Sequence, residues 1–275
     1  MRFRSLPCLL LPAVLVGCAG ISGEPGDAEV ATTTSAVVVV ERVTGASGGS
    51  RAESSARFVR VASSASLPDA LRAIGAALAL PQRGACALAD VMATSADAPP
   101  VVELVDVGGV SVRADAGEMR LLPRQLPDVT DVVSGVVYDR AAEPALLPAA
   151  TPYVVRVAGG GVLAPFEVSA AAPLELQDLR VDPEAEGGAL TVTGPSVDFT
   201  WAAGAPEDLV YVDIRPNGVR CVFGDVGRAS ISSQLFDDTG TVIVHRLHRE
   251  ALRTASIDSG EIRFDFARSL TYARH

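Results

Sequence analysis

Residues 209–223 read LVYVDIRPNGVRCVF. Two runs of apolar, largely β-branched side chains, 209–214 and 219–223, flank Pro216-Asn217-Gly218. An Asn-Gly pair tolerates positive φ at both central turn positions, so the stretch predicts a tight antiparallel hairpin. Short runs of this composition bounded by turn residues are strands rather than helices.

The same pattern extends in both directions. Strands are expected at 189–193 and 197–201 before the hairpin, and at 230–235, 242–247 and 262–266 after it. Farther upstream, 36–43, 56–62, 101–105, 110–113, 132–138, 153–157 and 162–168 alternate in the same way between Gly, Pro and Asp turns. One helix interrupts them, at 67–80. Ser66-Leu67-Pro68-Asp69 reads as a capping box with proline in the first turn. Leu67, Leu71, Ile74 and Leu78 then fall on one face, and Pro81 stops the helix. Pro173 ends an alanine run and places a boundary at 172–174. The expected fold is mainly β: two tandem β-sandwich-like modules, 36–172 with one short helix, and 173–275.

Pro173-Leu174, then Val197-Asp198-Phe199-Thr200-Trp201, then Ala205-Pro206, resembles the opening of an immunoglobulin-like or fibronectin type III-like sandwich. There a core tryptophan sits on an early strand. The resemblance spans 173–275 at most. Phe199, Trp201, Tyr211 and Phe223 offer a ligand platform or the core of the second sandwich; Phe199 and Trp201 share strand parity, and core is the reading taken. The chain as a whole resembles lipoproteins of GC-rich bacteria, a likeness that implies no activity.

The N-terminus reads as an address. Arg2 and Arg4 precede an apolar run at 6–16, too short for a permanent span, which needs about 20 residues. Leu15-Val16-Gly17-Cys18 resembles the lipobox of bacterial lipoproteins. The resemblance implies a signal peptide at 1–17, acylation of Cys18 and, with Ala19 rather than Asp next, an outer-membrane destination. Each buried methylene of the acyl chains adds about 0.8 kcal/mol of membrane affinity. Residues 18–35 read as a flexible tether with an r.m.s. reach of roughly 20–25 Å. The chain carries a formal charge of −10, and losing Arg2 and Arg4 with the signal takes it to −12. Such a charge opposes binding to nucleic acid and anionic lipid heads. The expected partners are the membrane, through lipid, and an envelope protein or polysaccharide.

Cys86 and Cys221 are left over. They form either a disulfide, which closing so long a loop makes worth about 4–5 kcal/mol in the chain-entropy model, or two separately buried thiols. Three constellations suggest chemistry. Gly45-Ala46-Ser47-Gly48-Gly49 matches the pattern of a hydrolase nucleophile elbow, but that mechanism needs a strand-to-helix turn in a parallel sheet, and the surroundings read as antiparallel. His245 and His248 make a candidate metal pair on the strand 242–247, yet residues three apart on a strand face opposite sides. The acids Asp182, Glu184 and Glu186, and Asp237 with Asp238, read as solvated turns, and Gly159-Gly160-Gly161 as a loop tip. No cofactor is expected. The expected role is non-enzymatic binding or structure in the cell envelope. A hydrolase using Ser47, or a metal-dependent one using His245 and His248, is the alternative, and a pure spacer module is another.

Overall fold

A computed structural model describes residues 31–89, 100–129, 133–161, 163–182 and 189–275. The expected signal peptide and Cys18 lie outside these residues, as does most of the acidic loop after Asp182. In chain order the elements are β1 (Thr32–Thr44), β2 (Ser50–Ala62), α1 (Leu67–Ala73), β3 (Cys86–Leu88), β4 (Val102–Leu104), β5 (Val110–Ala114), β6 (Gly117–Arg120), β7 (Leu122–Val129), β8 (Val133–Ala142) and β9 (Pro152–Val157). There follow β10 (Phe166–Ala171), β11 (Arg180–Asp182), β12 (Ala189–Val192), β13 (Ser196–Thr200), β14 (Leu209–Arg215), β15 (Val219–Gly224), β16 (Arg228–Ser232), β17 (Thr239–Ala251) and β18 (Ser259–Arg274). The protein is mainly β, with α1 as the α-helix among the described residues.

An 11-stranded sheet runs in the order β3-β15-β14-β17-β18-β1-β2-β4-β8-β7, with β12 also paired to β18. A 4-stranded sheet, β10-β9-β5-β6, and a 3-stranded sheet, β11-β13-β16, accompany it. Alternation along each strand sends half of the large sheet's side chains toward these two layers. Val38, Val40, Phe58, Phe264 and Phe266 join Val112, Tyr153 and Val155 of the 4-stranded sheet in one core. Val210, Val212, Val242 and Val244 join Val197, Phe199 and Ile231 of the 3-stranded sheet in a second. Two sandwiches therefore stand side by side on one face of one sheet.

The boundary expected at 172–174 does not divide the described residues into two independent modules. β18 pairs in parallel with β1 from Ser35 opposite Ser259 to Thr44 opposite Arg268, so the two halves share a continuous ladder. Leu252, Ile257, Ile262, Phe264 and Phe266 come from the second half and fill the first core. Residues 31–275 form a single compact unit. The tether also ends earlier than expected, because Thr32 to Ser35 already pair with β2.

The helix is shorter than its apolar spacing predicts. Ser66 caps it, accepting from the Asp69 amide at 3.4 Å as the capping box requires. Gly75 ends it at φ 65°, a left-handed conformation that suits glycine. The amides of Gly75 and Ala76 return to the carbonyls of Arg72 and Leu71 at 3.0 and 2.8 Å, the paired bonds of a Schellman stop. Leu67, Leu71 and Ile74 still pack together on the sheet. Leu78 leaves the helix and lands with Leu80 on Tyr211, Val222 and Leu247. Residues 74–85 thus form a strap over the large sheet's second face. Cys86, opposite Cys221 in register, closes the strap with a disulfide across 135 residues.

If the shared strand is what holds the halves together, residues 173–275 alone expose five core side chains worth about 1.5–3 kcal/mol each. That fragment should show no cooperative thermal transition by circular dichroism, whereas the 31–275 unit should show one.

Candidate functional site

The second face of the large sheet carries a row of charged and polar side chains. Register aligns Tyr211, His245, Ala267, Val43 and Arg51 across five strands. The neighbouring row on this face holds Leu247, Asp265, Glu41 and Glu53. These side chains alternate with the core residues of the same strands, so the packing that fixes the cores also fixes this array.

At its centre the Tyr211 and His245 rings stack at 4.1 Å and 10°. The Arg220 guanidinium lies 4.9 Å from the Tyr211 centroid. Because β15 and β17 flank β14, arginine and imidazole reach the phenol from opposite sides. The Tyr211 hydroxyl donates to Asp265 Oδ2, and His245 Nδ1 meets Asp265 Oδ1 at 2.8 Å. That bond places the proton of neutral His245 on Nδ1. His245 Nε2 is buried without a hydrogen-bond partner among the described residues, 4.0 Å from Asp213 Oδ2. Asp213 is held by the Arg220 fork at 2.6 and 2.7 Å. Burial, followed by the charge of Asp265, raises the Tyr211 hydroxyl well above the usual tyrosine range, so it remains a donor. Burial, then the neighbouring charges of Asp265 and Glu53, also raises the Glu41 carboxyl.

Two arginines tie the strap to this array. Arg220 Nη1 donates to the Ala79 carbonyl at 2.9 Å, and Arg263 Nη2 to that of Ala76 at 3.2 Å and to Glu261. Beyond the strap the face opens into a hollow of about 240 Å³ lined by Glu41, Arg51, Asp213, Arg215, His245 and Arg263, among others. A second hollow of about 250 Å³ adjoins it and shares Glu41 and Arg51.

The residues singled out from sequence take different places. Ser47 is exposed in the turn of the antiparallel β1/β2 hairpin, where Gly45 N donates to Gly49 O at 2.7 Å. It occupies no strand-to-helix elbow, so the serine hydrolase alternative loses its geometry. His245 and His248 lie on opposite faces of β17. His248 Nδ1 meets Asp208 at 2.6 Å and its Nε2 meets Glu250 at 3.4 Å, so the two rings serve separate networks. Tyr211 departs from the expected core, turning away from Phe199 and Trp201 to the charged face.

One buried pair had no counterpart in the sequence reading. Arg246 Nε lies 2.6 Å from Asp225 Oδ2, with side chains 1% and 0% exposed. The Arg246 guanidinium also donates to the carbonyls of Glu175 and Ala202 at 2.8 and 2.6 Å, and Trp201 Nε1 donates to Asp225 at 2.5 Å. Gly204 covers the pair so closely that a Cβ there would sit 2.2 Å from Asp225 Oδ2. The signal was present: Arg246 shares strand parity with the buried Val242 and Val244, and an arginine among core positions demands an internal partner.

No protein-family model and no curated protein matches the chain. Solved structures give distant likenesses. One, titled "Structural insight into host cell surface retention of a 1.5-MDa bacterial ice-binding adhesin", is 11% identical over 87% of this chain with a TM-score of 0.21. This chain spans 65% of that one. The Fcho1 Mu homology domain (Danio rerio) with bound Eps15 peptide is 10% identical over 89% of this chain and 97% of its own, with a TM-score of 0.25.

Removing one member of a buried ion pair strands the other, so Asp225→Ala or Arg246→Ala should each cost about 3–5 kcal/mol in urea unfolding. The Asp208 hydrogen bond outweighs burial and raises the His248 pKa above its ordinary value. Its stabilisation is therefore complete below pH 6.5 and is lost as pH rises through the folded value. Thermal midpoints should fall between pH 6 and pH 8, and Asp208→Asn should flatten that slope.

Proposed function

We propose that this chain is a non-enzymatic cell-envelope lipoprotein, anchored in the outer membrane through acylated Cys18, that binds an envelope protein or polysaccharide through the open charged face of its large sheet. The observation that carries the binding role is the hollow beyond the strap, where buried, mutually oriented polar groups meet solvent. Such convergence of fixed polar groups in a concavity is the usual mark of a ligand site. The signal-like N-terminus and Leu15-Val16-Gly17-Cys18 support the anchor. The non-enzymatic reading is supported by the engagement of the most suggestive groups: His245 is stacked on Tyr211 and bonded to Asp265, while Ser47 stands on a hairpin tip.

One experiment in the host tests anchor and face together. The full chain is expressed with a photo-crosslinking residue at Ala141, which lines the second hollow, or at Val226, which is 70% exposed elsewhere. Crosslinks to an envelope component are expected from Ala141 and not from Val226. Cys18→Ala should abolish fatty-acid labelling and release the protein from the membrane fraction. Equal crosslinking from both positions would remove the assignment of the face, and retained labelling in Cys18→Ala would remove the anchor.

A further inference from the structure

On its way from one core to the other, β17 carries a short polar stretch. Val242 and Val244 lie in the second core and Leu252 in the first. Arg246, His248 and Glu250 share their parity and stand between the two. Arg246 is taken up by Asp225 and the carbonyls of Leu174, Glu175 and Ala202. His248 stands between two carboxylates: Nδ1 meets Asp208 Oδ1 at 2.6 Å, and Nε2 meets Glu250 Oε1 at 3.4 Å. The same Glu250 oxygen accepts from the Ala171 amide at 2.7 Å. Asp208 immediately precedes β14, and Ala171 is the last residue of β10, an edge strand of the 4-stranded sheet. On β18 the residue opposite His248 is Phe264, its ring 6.3 Å away. Among the described residues, then, the charges that face the imidazole are Asp208 and Glu250, with Arg246 already paired beside it.

An imidazolium carries two N–H donors and a neutral imidazole one, while ionised carboxylates only accept. Both bonds of His248 therefore exist together only in the imidazolium, and loss of a proton to solvent gives up one of them. The Asp208 side chain is 3% exposed, so stranding its charge without the donor is the costlier choice. Glu250 is 34% exposed and its bond is the longer. Nε2 is thus the nitrogen that yields its proton, and Nδ1 keeps its own. A lone pair then faces Glu250 Oε1, and the repulsion turns that carboxylate toward water and away from the Ala171 amide. We propose that His248 is a proton-operated clasp: as imidazolium it holds the end of edge strand β10 through Glu250, and as neutral imidazole it releases that end while keeping Asp208. The clasp is shut in acid and opens as pH rises through the titration of the folded-state imidazole. Opening frees a backbone donor at the end of a sheet edge, the kind of group that another extended strand can pair with.

The test is hydrogen–deuterium exchange of the full chain in detergent, read by mass spectrometry between about pH 6 and about pH 9 and corrected for the intrinsic pH dependence of amide exchange. Protection of the Ala171 amide should fall at least tenfold across that range, while a peptide from β13 keeps its protection. In Glu250→Gln the neutral side chain accepts from Ala171 and donates to a neutral imidazole, so protection of Ala171 should stay and its pH dependence should vanish. Asp208→Asn removes the buried charge that favours the imidazolium and should move the fall to lower pH. Protection of Ala171 that does not change with pH in the wild type, a fall shared equally by β13, a fall that persists in Glu250→Gln, or an unmoved midpoint in Asp208→Asn would each overturn the proposal.

Discussion

β18 runs for sixteen residues between β17 on one side and β1, followed by β12, on the other. Phe264 and Phe266 from its first half enter one core, while Tyr272 from its second half enters the other. Its alternate residues Arg263 and Asp265, which flank Phe264, face away from both cores and build the charged array. Neither sandwich closes without this strand, and the array has no register without the sandwiches. A one-residue slip would place Asp265 in the core and Phe264 in the solvent, so burial of the aromatic face fixes the position of the carboxylate.

Much of the β architecture is written locally. The hairpin at Asn217-Gly218, the alternation in 242–247 and 262–266, and the parity that separates His245 from His248 are consequences of backbone geometry over a few residues. What is not local could not be read in that way. The parallel pairing of β1 with β18 joins segments more than two hundred residues apart, and nothing in either strand names its partner. The helix stop illustrates a competition: apolar spacing carries the pattern through Leu78, but Gly75 offers a left-handed exit, and the Schellman bonds prevail over periodicity.

The site is legible to a different degree. Asp213 in LVYVDIR and Asp265 in IRFDFAR are isolated acids within apolar strands, and their outward parity can be deduced. Their meeting with Tyr211, Arg220 and His245 depends on strand order, which a single sequence leaves open. Reading Tyr211 as core followed from treating all strand aromatics alike. Its parity with Asp213 separates it from Val210 and Val212, and that distinction was available. The strap needed the structure, because the arginines that hold it bond to backbone carbonyls of Ala76 and Ala79, residues without side-chain signals of their own.

The placement of β1 has a mechanical consequence. Tension transmitted along the backbone from ahead of Ala31 enters through Thr32, the first residue of a strand laddered to β2 over thirteen residue pairs and to β18 over ten. Those bonds lie crosswise to such a load and share it at once, instead of opening in succession like a zip. The rate of forced extraction would then be set by rupture of the central sheet, and the point at which this body takes strain is among its stiffest.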